Sequence, residues 1–130
     1  MIETKKYELT SETLVLSGHT LHRIKALKDF GSIKAGELGG WIESEENLSQ
    51  ANNAWVYGDS KVYEDAKVYD DAVICGNARV RGNARVFDNA MVCGKANVFG
   101  NARVYNEAKV HDRAGVFGNA WVYGNAELLD

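Results

Sequence analysis

Proline is absent from this chain of 130 residues, and cysteine occurs only twice. Each shortage excludes something. Without proline no corner can rest on its fixed φ, so the 13 glycines and the frequent Asn and Asp residues have to form the turns. Two cysteines are too few for a disulfide framework. With no apolar leader beside them, they point to a reducing cytoplasm. The opening MIETKKYELT is polar and charged, unlike a signal peptide. No apolar run approaches the roughly 18 residues of a membrane-spanning helix, so no membrane role is expected. The net charge of −3 offers no general attraction for polyanions. One domain with a real core fits this length.

What the chain has in excess is repetition. From Asn53 onward it divides into thirteen blocks of six with no inserted residue, for example NARVRG NARVFD NAMVCG KANVFG over 77–100. The second place is Ala in twelve blocks and Ser60 in one; the fourth is Val in eleven, with Ile74 and Leu128. A period of six matches no helical repeat, which excludes an amphipathic helix. It does match a short strand, A-x-V-x, followed by a two-residue corner. Ala and Val then face one way and the x positions the other. Gly, Asn and Asp occupy the corner because they tolerate positive φ. Strand and corner in strict alternation build a prism, the mark of a solenoid. Antiparallel hairpins would need loops of varying length, and there are none.

Residues 1–52 lack the repeat and read as an N-terminal hairpin and capping segment ahead of the 53–130 solenoid. Thr13–Ser17, then Gly18-His19, then Thr20–Leu27 predict a hairpin whose apolar members are Leu14, Leu16, Leu21 and Ile24. Gly36, Gly39 and Gly40 surround Trp41 and Ile42, which predicts a loop with an aromatic plug. The block NAELLD at the other end carries no such cap, which leaves an open edge or a partner's covering and hints at self-association.

The Val-x-x-x-Ala-x pattern of 53–130 resembles the hexapeptide repeat of left-handed parallel β-helix proteins. In that family three hexapeptides make one triangular coil, which implies an all-β prism of about four coils here. The leader TLHRIKALKDFGSIKAGELGGWIESEENLS resembles the N-terminal segment of small phage, prophage and enterobacterial β-helix proteins often labelled transferases.

With 18 residues per coil, outward side chains sort into three faces. The first carries Trp55, Tyr57, Val73, Cys75, Met91 and Cys93, an apolar stripe suited to a homo-oligomer, dimer or trimer, or to cover by the N-terminal segment. Further along lie Lys109, His111 and Glu127. A Cys75–Cys93 disulfide is set aside because the side chains project in parallel in a reducing compartment. A zinc site with His111 is set aside because three donors in a row fit a tetrahedron poorly. The second face mixes Lys61, Arg79 and Asn97 with Tyr63, Arg81, Phe99 and Phe117 and reads as solvated. The third sets Lys67, Arg85, Arg103 and Trp121 beside Tyr69, Phe87, Tyr105 and Tyr123. Basic groups beside rings fit a protein partner or plain cross-strand stacking; nucleic acid is disfavoured by the acidic total charge. At the corners, Asp70 and Asp88 should stack with Asn106 beside Asp71.

Function is less legible. Many proteins of the resembled family are acyltransferases using coenzyme A, with a histidine as general base and loops that leave the coil. This repeat has no such loop and one histidine, His111. The three zinc-binding histidines of a gamma-class carbonic anhydrase are missing, as are the threonine ladders of an ice-binding helix. Two expectations follow. The first is a non-catalytic scaffold that needs no cofactor and acts through flat surfaces, phage-encoded and directed at a host protein. The alternative is a coenzyme A-dependent acyltransferase with His111 as base.

Overall fold

The computed structural model describes residues 5–129. Three longer strands come first: β1 (Tyr7–Leu16), β2 (His19–Ala26) and β3 (Leu38–Ile42). Two-residue strands then recur every six residues, from Trp55–Val56 to Glu127–Leu128, each at the third and fourth places of a hexapeptide. Residues 18 apart pair in parallel. Lys61, Arg79, Asn97 and Gly115 stack on one side. Trp55, Val73, Met91, Lys109 and Glu127 stack on another. Lys67, Arg85, Arg103 and Trp121 stack on the third. The result is an all-β parallel solenoid with three sheets and an N-terminal antiparallel hairpin.

The interior follows from the paired small and branched residues. From Ala66 to Ala108 every repeat alanine is fully buried, as are Val80, Val86, Val92, Val98 and Val104. Burying each valine contributes on the order of 1.5 kcal/mol, repeated at every side of every coil. Ser60, the single departure, is also fully buried. Its hydroxyl donates to the Tyr57 carbonyl at 2.5 Å, so no polar group is left unpaired.

The corners carry the backbone strain. Every sixth-place residue from Gly58 to Gly124 has φ between +57° and +69°. Asp112 occupies this region without being glycine, and so do four residues whose neighbour one coil on is described: Glu64, Asp70, Asp88 and Asn106. Each of these four accepts a hydrogen bond from the amide of the corner one coil on: Gly82 N to Glu64 at 2.9 Å, Asp88 N to Asp70 at 3.1 Å, Asn106 N to Asp88 at 3.0 Å, Gly124 N to Asn106 at 3.1 Å. A side-chain oxygen that satisfies the next corner offsets the left-handed conformation.

The N-terminal part differs from expectation in three respects. First, the solenoid has about five turns, not four. The stretch 36–42 is no loop, because β3 within it pairs in parallel with Lys61–Val62, and Leu48 bridges Val68. Ile42 and Leu48 therefore stand six apart at inward places of a first turn. Two extra residues before Val56 shift its register to 20. Second, β3 packs so tightly that side chains are excluded. A Cβ on Gly39 would lie 2.7 Å from Trp55 Cζ2, and one on Gly40 would lie 2.6 Å from the Ser60 carbonyl. Third, the hairpin turn is Ser17-Gly18, both at positive φ, one residue earlier than the sequence indicated.

The hairpin extends the second-face sheet, β2 lying antiparallel to β3. Leu21 is buried with Trp41 and Tyr63, and Ile24 joins the main core. Just before β1, Lys6 is 1% exposed and donates to the Ala54 carbonyl at 2.7 Å, close to the Asn52 and Ala51 carbonyls, with the Phe30 ring 5.0 Å away. Burial first, with Lys28 adding to it against Asp71, pushes its ammonium down to about 8. No helix among the described residues is long and apolar enough to cross a membrane.

Candidate functional site

Each histidine has a distinct setting. His111 follows the inward Val110 and projects outward from the first face. Its Nε2 lies 3.0 Å from Glu127 Oε1 on the next coil, while Nδ1 is 3.7 Å from Asp112 Oδ1, beyond hydrogen-bond range. The six-residue period makes this pairing, because 111 and 127 are the fifth and third places of stacked strands. With Nε2–H donating to Glu127, the Nδ1 lone pair faces outward, where it can accept a hydrogen bond or a proton from a bound group. A groove of about 440 Å³ beside it is lined by Gly94, Lys95, Asp112 and Arg113.

His19 is bound at both ring nitrogens. Nδ1 is 2.9 Å from Glu43 and Nε2 3.3 Å from Glu64, with the ring against Tyr63 at 5.5 Å. The hydrogen bond to Glu43 raises the imidazole above its ordinary pKa. Both ring nitrogens are therefore engaged by carboxylates, one from β3's end and one from the solenoid, and the ring clasps the hairpin to the solenoid. His22 sets Nδ1 3.2 Å from the Thr10 carbonyl across the hairpin. The three histidines are thus apart, and among the described residues no group of three His, Cys, Asp or Glu is arranged to hold a metal.

The first face is less open than its sequence. Trp55 is 1% exposed, packed edge-on by Tyr7 at 6.1 Å and by Phe30 at 5.2 Å. It is corrected from an outer-face candidate to a core residue, because the N-terminal segment covers that end. Tyr57 is half-buried against the same core. Val73, Cys75, Met91 and Cys93 retain partial exposure. Contrary to the expectation of free thiols, Cys75 and Cys93 are disulfide-bonded. In-register parallel strands bring their Cα atoms to 4.5 Å, and at that distance two side chains projecting in parallel bring their sulfurs together.

The third face holds the expected ladder. Tyr69, Phe87, Tyr105 and Tyr123 stack with centroids 5.0, 5.0 and 5.5 Å apart and planes within 15°. Lys67, Arg85, Arg103 and Trp121 run beside it, with the Arg103 guanidinium 5.9 Å from the Trp121 ring. Rings stacked on one another present their edges outward, so a nucleobase finds no free ring face within the column. At the third corner, Asp70, Asp88 and Asn106 do stack, joined by hydrogen bonds from each backbone N–H to the side-chain oxygen one coil before, and line an open groove of about 610 Å³.

Sequence reading missed the His19–Glu43–Glu64 cluster. Its members belong to different elements and only the hairpin's docking unites them. The 16-residue spacing of His111 and Glu127 was readable once stacking by 18 was assumed.

No protein-family model matches the chain. It is distantly homologous to a protein named uncharacterized acetyltransferase YdcK of Escherichia coli (strain K12), being 36% identical over 61 residues, 41% of this chain and 19% of that protein. The match therefore takes in about a fifth of the relative's length.

Proposed function

We propose that this hexapeptide-repeat solenoid, a distant homologue of a protein named as an acetyltransferase, transfers an acyl group from coenzyme A with His111 as general base. The observation that carries this reading is the His111–Glu127 pair at 3.0 Å, found in a chain with that likeness. His111 Nδ1 accepts the proton of an acceptor amine or hydroxyl as that group attacks the thioester carbonyl. The imidazolium so formed is held by Glu127 and faced by Asp112. It returns the proton to the departing thiolate, leaving acylated acceptor and free thiol. Lys95 and Arg113, lining the groove beside Asp112, supply cations for phosphate groups of the donor. Among the described residues no loop leaves the coil to cover the reacting carbonyl, and in this reading a second subunit packed on the first face completes the site.

A second reading keeps the molecule non-catalytic. The exposed edges of the third-face ladder and the basic column Lys67, Arg85, Arg103 favour recognition of a protein partner, a phage-encoded chain acting on a host protein being the case in view. One experiment separates the two. Light scattering on the eluting species is combined with thermal shift and thiol release on acetyl-coenzyme A, with amine and hydroxyl acceptors. The transferase gives an oligomer, a shift and thiol release that His111→Ala abolishes and Glu127→Gln lowers about tenfold. An oligomer with neither shift nor release overturns acyl transfer and leaves the surface reading.

A further inference from the structure

On the second face, where the hairpin turn meets the solenoid, a notch of about 350 Å³ is lined by Ser17, His19, Tyr63, Glu64, Arg79, Arg81 and Asn97. Its charges are unequally used. Glu64 spends one oxygen on the Gly82 amide at 2.9 Å and the other on His19 at 3.3 Å. Glu43 faces the other nitrogen of the same imidazole. Among the described residues, neither Arg79 nor Arg81 has a carboxylate within 4.0 Å, and neither guanidinium donates a hydrogen bond. Arg81 is held in place nonetheless, 4.2 Å from the Phe99 ring. Arg79 stacks between Lys61 and Asn97. Burial first, then the charges of Arg79 and Arg23 against that of Asp59, lower the Lys61 ammonium below its ordinary range. Asp59 does not relieve the notch, because it lies toward Arg23 at 4.0 Å and lends its carbonyl to Lys61.

We propose that this notch is an anion site that takes the phosphate group of a small phosphorylated molecule or of inorganic phosphate. Arg79 and Arg81 alternate with inward Val80, so both forks leave the sheet on the same side. Two planar forks facing one tetrahedral dianion make charge-assisted, bidentate hydrogen bonds, which a carboxylate or chloride uses less fully. Asn97 adds an amide donor, and the Ser17 turn closes one wall. The site is separate from His111, which stands on the first face, and does not depend on the acyl-transfer reading.

The test is an amide-resonance titration of the full chain in low salt with inorganic phosphate and, in a second arm, phenyl phosphate. Saturable shifts are expected at residues 17–19, 79–81 and 97. Arg79→Gln with Arg81→Gln should weaken binding about tenfold or more, and Arg81→Lys, which keeps the charge but loses the fork, should weaken it less. Arg85→Gln with Arg103→Gln, on the third face, should change nothing. Equal affinity in both arms assigns the free anion; tighter phenyl phosphate assigns a phosphomonoester. Shifts that rise without saturation, or an equal loss in the third-face variant, would overturn the site and leave only screening of surface charge. Unchanged melting of each variant confirms that the notch, not the fold, was altered.

Discussion

Val86 and Val104 are stacked 18 residues apart at the centre of the prism, each without exposed surface. Their neighbours are alanines and valines, and no donor in that column is free to meet a new charge. Val86→Asp therefore buries an unpaired carboxylate, which costs on the order of 4 kcal/mol or more. A domain of this size has little more than that to lose. Loss of the folded state is expected, read as disappearance of the cooperative thermal transition. Val86→Ala, which only vacates volume, should lower the melting temperature and keep the transition. A wild-type melt for the aspartate variant would mean that Val86 does not face inward. The same residue logic explains why the repeat is so intolerant. Each inward place has one partner above and one below, and both are as small as the interior allows.

The hairpin is the element that the repeat cannot hold by its own pattern. It is fastened by Leu21 and Ile24 in the core, by Arg23 over Trp41 at 4.4 Å, and by His19 between Glu43 and Glu64. The His19 clasp makes docking depend on pH, and the sign follows from the two shifts. The hydrogen bond that His19 donates to Glu43 raises His19 above 6.5, so its contribution is complete below 6.5 and is lost as pH rises through the raised value. Burial works to raise Glu43, but the His19 hydrogen bond and the Glu64 amide outweigh it and bring it below 4.5. Its contribution is present above 4.5 and is lost as pH falls through the lowered value. The clasp is strongest between those limits. Exchange protection factors at residues 17–21 should be highest there and fall on the alkaline side, while Val86 and Val104 stay protected. His19→Gln should remove the dependence. Protection unchanged across the His19 titration would mean the clasp contributes nothing. This element also marks where reading the sequence ran out. The strands of 53–130 were legible because pairing there is set by a count of 18. The first turn was hidden because two residues inserted after Leu48 break that count, although Ile42 and Leu48 keep the six-residue step. The burial of Trp55 was hidden for a different reason. Which apolar side chain the hairpin covers depends on a contact between segments with no shared period.

At the scale of the whole molecule, face identity is arithmetic. A side chain's neighbours are set by position modulo 18, and the three corners share one backbone conformation, with φ from +57° to +69° at each sixth place. Corners that are alike should be interchangeable, whereas faces should not. Deleting Lys95–Asp112 removes one full coil. Arg85 then stacks on Trp121 and Phe87 on Tyr123, so the ladder Tyr69–Phe87–Tyr123 remains continuous. Deleting only Lys95–Gly100 removes one side of a coil. Every later residue moves on by one face, Arg85 meets Lys109, and Phe87 meets His111. Both variants keep inward Ala and Val in step, so both should fold with the same strand signal, since stability in a solenoid is a sum over neighbouring coils. They should differ in the near-ultraviolet dichroism of the stacked rings, retained in the first and reduced in the second. They should differ also in stability. The shorter deletion sets Arg85 on Lys109 and Arg103 on Arg79, and like charges directly opposed on a sheet are unfavourable by up to about 1 kcal/mol per pair. The shorter chain by sequence count should thus be the more stable per coil. If the six-residue deletion instead failed to fold while the 18-residue deletion melted cooperatively, the three corners would not be equivalent. The side-chain bonds of the Asp70–Asp88–Asn106 column would then be part of what holds the prism in register.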